Sequence, residues 1–216
     1  MHKPGEALMI TVHHLNNSRS QRVIWMLEEL GLPYEIRRYE RNARTMLAPP
    51  ELRRVHPLGK SPVIEHEGRT LIESAAICEY LVDLAGGRMG APTGLEDKLR
   101  YRQFLHYAEA SMMVPLLLKL IIGRIPIMGK MAAKKIQPMI TLHLDFVESE
   151  LVARPWFAGD ELTAADVMMS FPLEAARVLA GLDAQSHPHI SQWLDTLHDR
   201  PAYQRALEAG GTYDYA

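Results

Sequence analysis

One cysteine, Cys78, stands in a chain of 216 residues, so no intrachain disulfide can form and no Cys-x-x-Cys redox pair exists. Thiol chemistry, if there is any, must come largely from a ligand. An excess of one charge is also missing. The 24 basic and 26 acidic residues leave a formal charge of −2, which gives no global attraction for nucleic acid or an anionic membrane. Residues 1–7 lack the apolar core of a secretory signal, and the greasiest run, 114–122, is short and interrupted by Lys119. A soluble, cytoplasmic protein without nucleic-acid or membrane partners is the expectation. Ten histidines invite a metal reading, yet His13-His14 and His187-Pro188-His189 lack a third ligand at useful spacing and no His-Glu-x-x-His occurs, so no metal is expected. The three lysines in 130–135 have no interleaved aromatics, which fits a solvated helix face rather than a nucleic-acid surface.

The hydrophobic content of 47% supplies an ordinary core for one large or two modest domains. Met9 to His14 is a short β-rich run, broken by Asn16-Asn17-Ser18-Arg19-Ser20 before Val23, Leu27 and Leu30 set a helical period. Gly31 and Pro33 stop that helix, and Tyr34-Glu35-Ile36-Arg37-Arg38 reads as a second strand, which makes a parallel βαβ unit. A short helix near 51–55, a hairpin turning at Glu67-Gly68 and a helix from Ser74 complete the order β-α-β-α-β-β-α, a thioredoxin-like α/β domain over 8–85. Residues 86–94 hold four glycines and a proline, which suits a linker. Beyond it only helical segments are expected, near 95–122, 125–152, 163–179, 188–198 and 202–209, in an all-α domain spanning 95–210. Thr163 and Asp166 have capping-box spacing at the start of one of these helices. Disorder is the default for residues 1–5.

The stretch His56 to Ile64, followed by Thr70 to Ala75, reads as a binding edge. Pro62 removes a backbone donor at a strand entrance, and if its bond to Ser61 is cis, Ser61 can pair its backbone with an extended ligand as an added strand would. A trans proline at a plain strand start remains the alternative. Glu73-Ser74 opens a helix, where free N–H groups and the Ser74 hydroxyl suit a carboxylate while Glu73 suits an ammonium. The same two residues also suit an ordinary capped helix with an acidic first turn.

This order of loop, proline, hairpin, Glu-Ser and helix resembles the glutathione transferases, in particular the cytosolic, serine-type, theta-like and bacterial members, over nearly all of the chain. The resemblance implies a thioredoxin-like domain that binds glutathione as co-substrate, with no other cofactor, and a helical domain that takes a small hydrophobic electrophile. By resemblance Pro62 is the cis-proline, Ser61 pairs with the cysteinyl backbone, Glu73 and Ser74 hold the γ-glutamyl end, and Lys60 matches a ligand-contacting lysine. A homodimer is implied as well. A non-catalytic binding module of the same fold and a glutathione-dependent peroxidase are the competing functions.

A bound thiol reacts as its thiolate, which hydrogen-bond donors and a helix N-terminus stabilise. Ser18 lies four residues before Arg22, where serine-type members carry their activating serine, and it is the first candidate for catalysis. Asn17 through its amide and Arg19 through its charge are the next candidates, and a simple N-cap role for Ser18 stays open. Cys78, inside the Ser74 helix, reads as a buried small apolar residue. Tyr107, Met112, Met113 and Leu117 are candidates for the electrophile pocket, and a methionine-rich helix core is the alternative for each methionine. No residue is assigned to the glycyl carboxylate.

Overall fold

A computed structural model describes residues 9–126 and 128–216, which form two compact units. One comprises the chain up to Arg88 together with Pro201–Asp214, the other Met89–Arg200 with Tyr215–Ala216. The expectation for residues 1–5, and residue 8 at the edge of the first domain, lie outside the described residues.

In the first unit β1 (Ile10–Leu15), α1 (Ser20–Leu30), β2 (Tyr34–Tyr39), α2 (Leu52–Val55), β3 (Val63–His66), β4 (Arg69–Leu71) and α3 (Ser74–Leu84) follow the expected β-α-β-α-β-β-α order. The sheet runs β2-β1-β3-β4, with β1 parallel to β2 and antiparallel to β3. All six residues of β1, a central strand paired on both sides, are buried. Val12, Ile24, Leu27, Ile64, Ile77 and Leu81 are fully enclosed, each such side chain contributing about 1.5–3 kcal/mol of transfer free energy. Gly31, at φ 63°, ends α1, and the Leu32 N–H reaches back to the Leu27 carbonyl. Glu67 and Gly68, at φ 50° and 72°, turn β3 into β4 with the twist that a two-residue hairpin loop needs.

The last helix, α10 (Pro201–Gly210), packs on α1 of this unit rather than with the other helices, which corrects the helical domain expected over 95–210. Ala202, Tyr203, Ala206 and Gly210 make a buried, mostly small-residue face. Tyr203 meets Trp25 edge to face at 5.5 Å, Gln21 donates to the Ala206 carbonyl at 2.7 Å, and Arg205 pairs with Glu28 at 2.7 Å. A Cβ on Gly210 would collide with the end of the Gln21 side chain, which would have to shift from its bond to the Ala206 carbonyl.

The second unit is helical: α4 (Leu95–Tyr107), α5 (Met113–Gly123), α6 (Gly129–Lys134), α7 (Gln137–Val152), α8 (Ala164–Ala180) and α9 (Pro188–His198). α4 passes into α5 through a wider π-helical turn at Ala108–Met112, giving a 29-residue path, Leu95–Gly123, that is long and apolar enough to span a membrane by length and composition. The sequence run 114–122 alone understates it. The path is nevertheless built into the core of its unit through Tyr101, Phe104, Leu105 and Leu116. The single segment expected over 125–152 divides into α6 and α7, with Pro138 in the first turn of α7, where a missing N–H costs nothing.

α8 opens on the expected box. The fully buried Asp166 carboxylate accepts from the Thr163 N–H and hydroxyl, both at 2.8 Å, and from the Phe157 N–H at 2.9 Å. Burial pushes its pKa up to about 6, against the pull of those donors toward a lower value.

Candidate active site

Four residues link β1 to α1, and their shape is set from outside the loop. Arg41 holds it from the far side: its backbone N–H donates to Asn16 Oδ1 at 2.9 Å, its Nε to the Asn16 carbonyl at 3.1 Å and its guanidinium to the Asn17 carbonyl at 3.2 Å. Asn17 takes φ 50°, a left-handed conformation that asparagine tolerates better than most residues. The chain then turns inward at Ser18, which is 4% exposed.

Ser18 Oγ lies 2.8 Å from Ser20 Oγ and accepts from the Ser20 N–H at 3.2 Å. It also donates to Ser61 Oγ at 3.5 Å, the longest contact it makes. Ser61 comes there because β3 is antiparallel to β1 with Val63 opposite His13, so two residues further back along β3 the chain stands beside the end of β1. The Ser61 hydroxyl is held by the His13 carbonyl at 2.9 Å, and the Ser61–Pro62 bond is cis. Lys60, next in line, is exposed.

Glu73 and Ser74 sit together at the start of α3. Ser74 is buried, while the exposed Glu73 takes φ 66° and ψ 115°. A non-glycine residue held there costs on the order of 1–3 kcal/mol and is characteristic of ligand clamps. The structure thus brings Ser18 to Ser61, and Glu73 to Ser74, as two clusters of the same unit.

The rivals of Ser18 fare differently. The Asn17 amide is engaged by the C-terminal segment: Nδ2 donates to Asp214 Oδ2 at 2.7 Å and Oδ1 accepts from the Asp214 N–H at 2.8 Å. Arg19 is half-buried directly ahead of α1. Cys78 is fully enclosed, and burial raises its thiol to about 12, which leaves it without a thiolate at neutral pH. Among the residues expected around an electrophile, Met112 is sealed in the core of the second unit and Met113 nearly so, as the methionine-core alternative has it. Leu117 keeps 40% of its surface. Tyr107 is half-buried, with its hydroxyl 2.5 Å from His143 Nδ1, and burial lifts its pKa to about 12.

Two participants escape a reading of the sequence. Ser20 Oγ lies 2.9 Å from His14 Nδ1, so the chain of hydroxyls continues from Ser18 into the core. His14 is 2% exposed, and its pKa falls to about 4, chiefly through burial, then through the nearby Arg38 charge, with the Gly210 backbone pulling weakly the other way. The only signal for either residue was the adjacency of a histidine at a strand end to a Ser-x-Ser at a helix start.

Comparison with known proteins bears on both parts of the chain. The family model for the glutathione S-transferase N-terminal domain matches residues 18–84, and that for the C-terminal domain matches residues 114–201. Glutathione S-transferase 3 of Schizosaccharomyces pombe is 37% identical over 215 residues, 93% of this chain and 87% of the relative. Glutathione S-transferase 1 of Saccharomyces cerevisiae is 33% identical over 93% of this chain and 94% of its own length. The crystal structure of a glutathione S-transferase from Actinobacillus pleuropneumoniae superposes with a TM-score of 0.86 at 33% identity, covering 96% and 95% of the two chains.

Proposed function

The chain belongs to the glutathione transferase family, and from that premise we propose that Ser18 activates the thiol of glutathione for attack on small hydrophobic electrophiles. The observation that carries this reading is the Ser18 hydroxyl, whose one outward contact is the 3.5 Å approach to Ser61, beside the cis-Pro62 bond. A contact that long is easily exchanged for a shorter, charge-assisted bond to a thiolate. Ser61 would pair with the cysteinyl backbone, Glu73 and Ser74 would hold the γ-glutamyl end, and Lys60 would supply an exposed cation to the tripeptide. The thiol loses its proton to solvent. The thiolate, held by the Ser18 O–H and the N-terminus of α1, then forms a bond to the electrophilic carbon while the leaving group departs with its electron pair.

Tyr107 and Leu117, which keep accessible surface, are the members of the helical unit through which we expect the electrophile to be held. Met112 and Met113 act as the packing behind them. A cytoplasmic homodimer is part of the same reading. Retention on immobilised glutathione followed by a conjugation assay with an aryl halide tests it. Binding with turnover is expected; binding without turnover would reduce the protein to a glutathione-binding module, and failure of both would overturn the assignment.

A further inference from the structure

We propose that His14 is a positioning residue for Ser18, acting through Ser20 to point the Ser18 hydroxyl proton out of the core toward a bound sulfur. The inference rests on the reading of Ser18 given above and concerns why that hydroxyl donates rather than accepts.

A serine hydroxyl has one proton and two acceptor sites, so a chain of serines runs in whichever direction its end group dictates. Ser61 cannot dictate it, since its proton is committed to the His13 carbonyl at 2.9 Å and it can only accept from Ser18. The other end is His14 Nδ1, 2.9 Å from Ser20 Oγ. With the proton on Nδ1, every slot is filled from within. Ser20 Oγ accepts from His14 Nδ1–H and from the Leu15 N–H at 3.3 Å, so its own proton goes to the nearer of its two acceptors, Ser18 at 2.8 Å rather than the Leu15 carbonyl at 3.4 Å. Ser18 Oγ then accepts from the Ser20 hydroxyl and from the Ser20 N–H at 3.2 Å. Both its acceptor sites are occupied, and its proton is left for Ser61 in the free protein and for the thiolate in the complex.

The surroundings of His14 fit this tautomer. Ring and hydroxyl are both buried, with His14 2% and Ser20 0% exposed, so water does not compete for the chain. Among the described residues His14 Nε2 is buried without a hydrogen bond of full geometry, and the Gly210 backbone, which pulls toward the charged ring, is the smallest of the three influences on it. Burial and Arg38 keep the ring neutral. The opposite tautomer, with the proton on Nε2 toward the Gly210 backbone, would draw the Ser20 proton to Nδ1 and let Ser18 donate inward.

The test uses the full chain with glutathione and with S-methylglutathione, which has no thiol proton. Ultraviolet absorbance of the thiolate gives the pKa of bound glutathione, and the only protein thiol, buried Cys78, is silent in that window. His14→Ala is expected to raise the bound thiol pKa by about one unit, a tenfold loss of thiolate at a pH below both values. Affinity for S-methylglutathione should stay within about twofold. His14→Asn, whose amide can donate from near the Nδ1 position, should restore most of the shift. Loss of S-methylglutathione affinity in step with the thiol shift, without rescue by asparagine, would make His14 merely structural and overturn the proposal. So would a nitrogen chemical shift placing the His14 proton on Nε2. If Ser18→Ala raises the thiol pKa and His14→Ala does not, this inference alone falls. If Ser18→Ala leaves it unmoved, the assignment of Ser18 falls first.

Discussion

Two helices begin on a buried polar knot, α1 at Ser18 and α8 at Thr163, and the difference between the knots separates chemistry from architecture. At α8 the Asp166 carboxylate takes three donors between 2.8 and 2.9 Å and nothing points outward. At α1 the inner contacts of Ser18 are also short, but the chain ends on a 3.5 Å bond to Ser61 that a ligand can displace without leaving a buried group unpaired. Each site has a hydroxyl residue at a helix start, which is what a cap requires. What distinguishes them is saturation: a closed network stabilises the fold, and a network with one loose, outward proton can act on something else.

The sharpest way to break that contrast is to remove each hub. Ser18→Ala should lower turnover with an aryl halide by about 100-fold or more, the usual consequence of deleting a single donor to a developing or resident anion. Its stability should fall less than that of Asp166→Ala, because only the Ser20 N–H loses its acceptor while the Ser20 and Ser61 hydroxyls retain other bonds. Equal rates for the variant and the parent would leave α1 with an ordinary cap. Asp166→Ala should do the reverse. Loss of the cap and of the acceptor for the buried Phe157 N–H should cost about 2–3 kcal/mol in urea unfolding, with activity per folded molecule unchanged. A drop in activity at full stability would erase the distinction drawn here.

Much of this was legible in the sequence where the signal is local. Gly31 with Pro33, Glu67-Gly68 and the Thr163 to Asp166 spacing each act over a few residues, and the β-α-β-α-β-β-α order follows from them. Ser18, Ser61-Pro62 and Glu73-Ser74 could likewise be singled out because each sits at an element boundary. Apart from the division of 125–152 into α6 and α7, the misplacements are non-local. The small face of α10 would fit many partners, and only the groove on α1 around Gln21 selects the first unit. Asn17 looked free to serve a ligand because the residue that engages it, Asp214, lies 197 positions away. His14 carried no alternation signal, since both faces of β1 are buried.

The α8 knot also has a pH signature opposite in sign to that of the α1 knot, where His14, held down to about 4, costs stability as pH falls below its ordinary value of 6.5. Burial raises the Asp166 carboxyl from 3.8 to about 6, so the folded state holds its proton more tightly than the unfolded chain does. That contribution is fully present below the unfolded value and is lost as pH rises through about 6. Relative to Asp166→Asn, the parent should therefore lose about 1–2 kcal/mol of unfolding free energy between pH 4 and pH 6. Unfolding curves of the two proteins that stay parallel across this range would show that the three donors outweigh burial and that the carboxylate is already ionised below pH 4.

The smallest effect belongs to Asn17, and it sharpens the comparison by asking whether the α1 knot has one outward donor or two. Alanine would confound the answer, because Asn17 sits at φ 50° and a plain L-residue there is strained. Glycine removes the amide while accepting the backbone. Asn17→Gly should release Asp214, which loses two bonds of 2.7 and 2.8 Å. Turnover should change less than about fivefold, roughly 1 kcal/mol of barrier, since the amide oxygen and one amide N–H already serve the C-terminal segment. A hundredfold loss would transfer the activating role from Ser18 to Asn17 and make the Asp214 contact the one that glutathione displaces.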